Sequence, residues 1–166
     1  MRLAQIFVAV KLWGLACLAA SSLSAENIEA AGTFGIWSTF LQRNECWIAA
    51  HPQHSSGHTA RNIYMFLSFF QGSPDFEISL HSQAFPSNIS ALTLQQNNAI
   101  YEMTLLLDTA YPKRGAEKAL FWEMLRGDDI LLHMEDTSGN DIQFVFDTYG
   151  FLEAYDFVSQ KCAFNI

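Results

Sequence analysis

Between Phe34 and Phe146 the chain is a succession of short apolar runs separated by turn-forming residues. That cadence restricts it to a mainly antiparallel β architecture. Phe76, Ile78 and Leu80 alternate with Glu77, Ser79 and His81, the pattern of a strand with one face in a core and one in water. Ile130, Leu132 and Met134 are followed by a turn at 136–140 and by Ile142, Phe144 and Phe146. Residues 89–96 and 99–108 flank Asn97-Asn98, a pair that tolerates the positive φ of a tight hairpin. The stretch 34–40 reads as one aromatic strand that turns at Asn44-Glu45 into Cys46-Trp47-Ile48-Ala49-Ala50. Residues 62–71 place Ile63, Met65, Leu67 and Phe69 on one face and Tyr64, Phe66 and Phe70 on the other, which predicts a strand buried on both sides. A helix is predicted over 116–126, stopped by Gly127, and another from Gly150 to Cys162, where Phe151, Ala154, Tyr155 and Val158 recur at helical spacing. Seven or eight strands with two short helices predict a single β domain, sandwich-like or an open barrel, rather than an α/β sheet.

The opening 25 residues are of another kind. Arg2 and Lys11 bracket an apolar start, Leu12 to Ala20 continues it, and Ser21-Ser22-Leu23-Ser24-Ala25 supplies a small-residue exit. This is the pattern of a secretory signal peptide, so residues 1–25 are expected to be removed and 26–166 to form the exported domain. Cys17 could instead be the lipidated cysteine of a bacterial lipoprotein, but Gly14 and Leu15 stand in the wrong order before it. Once residues 1–25 are removed, Cys46 and Cys162 are the two cysteines left. In an oxidising compartment they are expected to pair, closing the start of the domain onto its end; the alternative is two buried free thiols.

Of nine Lys and Arg, two fall in that opening, leaving seven against 17 Asp and Glu and a net charge near −10 for the exported chain. Such a surface repels phosphate backbones, so nucleic acid is excluded as an expected partner, and adhesion to anionic lipid through a basic patch is disfavoured. No segment after residue 25 is apolar enough to span a bilayer as a helix.

Trp37 with Cys46, Trp122 on a helix ending Leu125-Arg126-Gly127, and Asp147-Thr148-Tyr149-Gly150-Phe151 followed by Ala154 and Cys162 together resemble the invasion-associated locus B family. The likeness spans nearly all of the exported chain and rests on order and spacing, since none of these motifs carries chemistry. Two departures stand out: Tyr149 runs directly into Gly150-Phe151 without the Ser-Leu pair common there, and the histidine-bearing loop is not prescribed by the family pattern. The resemblance implies export by a Gram-negative bacterium to the periplasm or outer membrane, no attributed catalytic residues, and an envelope or host-surface protein, or a lipid, as partner.

Direct reading of the residues gives few chemical sites. His51, His54 and His58 form H-x-x-H-x-x-x-H in one loop and could ligate zinc or copper, although no carboxylate lies among them and three solvated histidines are the plainer reading. His81 and His133 alternate outward on their strands. No G-x-S-x-G elbow is present, and the adjacent carboxylates Asp128-Asp129 and Glu135-Asp136 flank turns, where solvation explains them. A non-enzymatic protein without a cofactor is the expectation; the alternative is a small periplasmic metal-binding or hydrolytic protein using His51, His54 and His58. The aromatic residues Phe34, Trp37, Phe40, Trp47, Tyr64, Phe66, Phe69 and Phe70 are numerous for a small core. Most are expected inside, and a surplus would leave an exposed apolar binding surface around Trp47, Tyr64, Phe66 and Phe70.

Overall fold

The computed structural model of the protein describes residues 29–43, 45–55, 63–83, 85 and 87–162; the signal-like segment, Cys17 and His58 lie outside them. The predicted aromatic strand over 34–40 is in fact two strands. β1 (Gly32–Phe34) and β2 (Trp37–Leu41) pair antiparallel with Phe34 opposite Trp37, so Gly35 and Ile36 alone make the turn. Gly35 has φ +61° while Ile36 keeps a negative φ, the combination of a type II′ hairpin, whose twist matches that of its strands.

β2 pairs with β3 (Glu45–Ala50), and from there the order runs through β5 (Ile63–Phe70), β6 (Phe76–Ser82), β9 (Thr109–Pro112), β8 (Ala99–Leu106), β7 (Ile89–Gln96), β10 (Ile130–Asp136) and β11 (Asp141–Phe146) to β4 (His54–Ser55). Every pairing is antiparallel, and the ladder curls into a half-barrel, so the open barrel describes the chain better than a sandwich of two separate sheets. β4 explains the curl. It follows β3 after only His51-Pro52-Gln53, yet it pairs with β11 at the far edge, Phe144 opposite Ser55 and Val145 opposite His54. The Gln53 N–H donates to the Val145 carbonyl at 2.9 Å. One run of chain therefore turns a corner and serves both ends of the sheet.

The two helices fill the inner face. α2 (Phe151–Cys162) packs across β1, β2 and β3 and buries Phe151, Ala154 and Val158. α1 (Glu117–Met124) packs against β6 and β7 and buries Leu120, Phe121 and Met124. The Phe121 ring joins them, with centroids 4.9 Å from Phe76, 5.1 Å from Tyr155 and 6.1 Å from Phe151. Around these lie Trp37, Ile48, Met65, Leu67, Ile78, Leu80, Leu94, Leu132, Phe144 and Phe146, all fully buried. Cys46 on β3 and Cys162 at the end of α2 form a disulfide across 116 residues of sequence, with Cα atoms 6.5 Å apart.

The expectation that 62–71 is buried on both sides is overturned. On β5 only Ile63, Met65, Leu67 and Phe69 face the core, while Tyr64 and Phe70 are 41% and 40% exposed. Both helices lie on one face of the sheet, and among the described residues no element covers the other. For the same reason most of the aromatic residues named above do not reach the core: Trp37 and Phe69 are fully buried, whereas Phe40, Trp47 and Phe66 are half-buried on the outer side.

The segment Asp147–Phe151 is where the first described strands are tied to the start of α2. The Trp37 indole N–H donates to the Asp147 carbonyl at 2.9 Å, and the Gln53 amide donates to the Asp147 carboxylate at 3.1 Å. The same carboxylate accepts the Tyr149 N–H at 2.7 Å. Here the turn at Gly35 and the turn at Gly150 are in backbone contact: a Cβ on Gly150 would stand 2.4 Å from the Phe34 carbonyl oxygen.

Candidate functional site

A cleft of about 210 Å³ opens on the outer face of β2, β3 and β5. Register builds it. Phe40 lies opposite Trp47, and Ser38 opposite Ala49, which in turn lies opposite Phe66 on β5. Phe40 and Trp47 stack with centroids 5.5 Å apart and planes 16° apart, forming one wall. Tyr64 and Phe66, 6.2 Å apart, form the other. Ser38 and Ala49 sit between the walls, and because both are small the floor stays low. Ile36 and His51 close the end nearest the corner. Among the described residues no carboxylate or lysine lines the cleft, which sets it apart on a chain with net charge −8.

Of the residues expected to form a binding surface, Trp47, Tyr64 and Phe66 are brought together here. Phe70 shares their face of β5 but lies beyond Ser68, opposite Glu45, and does not line the cleft. The histidine loop is divided: His51 lines the cleft, and the backbone of His54 pairs with Val145 in β4. Among the described residues no group of three or more His, Cys, Asp or Glu is placed to hold a metal ion.

The remaining polar candidates are engaged locally. His81 Nδ1 lies 3.4 Å from Thr109 Oγ1 and 3.7 Å from Asp108 Oδ2, and His133 Nδ1 lies 3.4 Å from Asp141 Oδ1. Asp128 accepts from the Asn97 side-chain amide at 2.8 Å, tying the β7–β8 turn to the end of the α1 loop. Glu77, on the outer face of β6, is held above the usual carboxylate range by partial burial first and then by the charges of Glu45 and Glu117.

Asp136 works as a turn brace. Its carboxylate accepts from the Asn140 side chain at 2.8 Å and from the Ser138 and Asn140 N–H groups at 2.8 and 3.0 Å, bonds that hold its pKa below the usual range. A depressed folded-state pKa contributes stability above the unfolded value, near 4, and loses it as pH falls through the folded value. Asp136→Ala is therefore expected to lower the melting temperature at pH 7, with the deficit shrinking between about pH 4 and pH 2. Thermal melts across that range check it, and a deficit that stays constant would show that the ionised carboxylate is not the brace.

Ser38 and Ala49 were not singled out in the sequence, although the hairpin of β2 and β3 contained the signal: folding that hairpin puts two small residues opposite one another beside Phe40 and Trp47. Comparison of the chain with family models, with characterised proteins and with solved structures finds no match.

Proposed function

We propose that this is an exported, non-catalytic binding protein of the bacterial envelope that takes an apolar ring or short acyl group of its ligand into the cleft between β2, β3 and β5. The observation that carries this reading is the cleft itself: four aromatic side chains held in two pairs over a floor of Ser38 and Ala49, on the face opposite α1 and α2. Half-buried aromatic rings around a concave apolar surface are the usual composition of a small-ligand or partner-anchor site. The signal-like opening and the likeness to the invasion-associated locus B family support export, and the disulfide suits an oxidising compartment.

Titration with the uncharged fluorophore N-phenyl-1-naphthylamine tests the site without opposing the acidic surface. Saturable binding is expected for the unaltered chain. Ala49→Phe, which fills the trough from its floor, is expected to weaken binding at least about tenfold, and Ser38→Leu should do the same from the neighbouring strand. Both side chains lie on the outer face, so melting temperatures should change little. Unchanged binding in both variants would remove the cleft from the function.

A further inference from the structure

Two cations from opposite ends of the described chain meet beside the disulfide. Arg43 stands in the turn between β2 and β3, just before Cys46, and Lys161 directly precedes Cys162 at the end of α2. The bridge joins these elements covalently, and a crevice of about 90 Å³ next to it is lined by Arg43, Lys161, Gln42, Gln71 and Glu45. The Gln42 N–H donates to the Glu45 carbonyl at 2.8 Å, which closes the turn that carries Arg43.

Elsewhere on the surface Lys113 is paired with Glu102 and Arg126 with Glu123. Among the described residues neither Arg43 nor Lys161 has a carboxylate partner, and the Lys161 ammonium lies 5.9 Å from the centre of the Phe157 ring. Lys161 also offsets the negative end of the α2 dipole, a task that leaves Arg43 unexplained. In a chain with 17 Asp and Glu against nine Lys and Arg, two cations facing one carboxylate reverse the average balance.

We propose that this crevice binds the phosphate group of a small ligand. Its volume is well below the roughly 300–1,000 Å³ of a site that encloses a whole organic molecule, so it suits a single charged head. A tetrahedral oxyanion presents oxygens in several directions. The Arg43 guanidinium can take two of them, the Lys161 ammonium another, and the Gln42 and Gln71 amides supply neutral donors. A planar carboxylate would be satisfied by the guanidinium alone and would leave Lys161 unused. The acidic surface opposes a polyanion laid along it, but charges farther than about 8 Å are largely screened at physiological salt, so one phosphate responds chiefly to the groups around it. The disulfide, besides closing the chain, thus positions the site. The crevice shares no lining residue with the aromatic cleft, so the two readings stand or fall separately.

Amide NMR titration of the purified full chain with inorganic phosphate, at an ionic strength held constant with sodium chloride, tests this. Saturable shifts centred on Arg43, Gln71 and Lys161 are expected, with a Kd near about 1 mM. Arg43→Gln and Lys161→Gln should each weaken binding at least about tenfold, through loss of a charge-assisted hydrogen bond. Glu45→Gln should tighten it about threefold by removing the one opposing charge. Lys118→Gln is the control, since Lys118 lines a different cleft with Asp75 and Glu117, and it should change nothing. None of these side chains is buried, so melting temperatures should barely move. Co-sedimentation with phosphatidylcholine vesicles carrying phosphatidic acid, lost in Arg43→Gln, would support the site with a lipid headgroup as the source of the phosphate. Phosphate binding without co-sedimentation would support it with a soluble ligand as the source. Shifts that never saturate, equal affinity for acetate, binding undiminished in both cation variants, or binding seen only after residues 163–166 are removed would each overturn the proposal.

Discussion

Replacing Gly150 with alanine is expected to cost on the order of 3–4 kcal/mol of folding free energy, lowering the melting temperature by roughly 10 °C. Two effects add. Gly150 has φ +87°, where a Cβ is strained, and the new methyl group would stand 2.4 Å from the Phe34 carbonyl oxygen, 2.6 Å from its carbon and 3.0 Å from the Gly35 nitrogen. Those atoms belong to the backbone of the β1–β2 turn, so they cannot swing aside as a flexible side chain would. Gly139 is the control, with φ +78° and nothing within 4 Å of its would-be Cβ. Gly139→Ala should lose only about 1 kcal/mol, the conformational part alone. Equal losses at the two positions would mean that the close approach of the two turns contributes nothing.

Opening the disulfide should have an effect of similar or larger size. Cys46 and Cys162 close a loop of 116 residues, for which the chain-entropy account gives about 4–5 kcal/mol. Small domains are stable by only about 5–15 kcal/mol, so the reduced protein should be marginal. Urea unfolding with and without reductant measures the difference, and the double Cys→Ala variant should match the reduced form. An unchanged midpoint would show that the bridge adds nothing the packing of α2 does not already supply. Because Trp47 follows Cys46 on β3 and points to the opposite face, the bridge also anchors the strand that carries one wall of the cleft.

The strands with clean alternation were legible. Phe76 to His81, Ile130 to Met134 and Ile142 to Phe146 lie where polar and apolar residues interleave, because each has one face on the core and one in water. Both helices and the Cys46–Cys162 pairing were legible too, from 3.6-residue spacing and from the count of cysteines. What misled was turn chemistry. A run of aromatics over 34–40 concealed the hairpin at Gly35, and with Leu107 at the positive-φ position of the next turn, Leu107-Asp108 was read as the end of β8 and β9 was not anticipated. The two-sided apolar character of β5 has an equally physical cause. Its second face looks like core because it is built from aromatic residues, yet that face forms the cleft. Phe70 shares the face of Tyr64 and Phe66 but lies outside the cleft, because alternation shows which face a residue occupies and distance along the strand decides which neighbours it meets.

The knot at Asp147 and Gly150 bears on the order in which the chain can fold. Trp37 meets its acceptor 110 residues downstream, Gln53 meets the same residue 94 residues on, and Cys46 waits for a partner 116 residues away. Among the described elements β1, β2 and β3 come first in the chain, and α2, the helix that covers them, comes last. A chain with so many distant pairings folds slowly, since each long loop must close before its contacts are gained. Until Phe151–Cys162 arrives, the inner face of those strands is open to water, with Trp37 and Ile48 bare. The inner face of β1, β2 and β3 is therefore closed only once Phe151–Cys162 has docked on it.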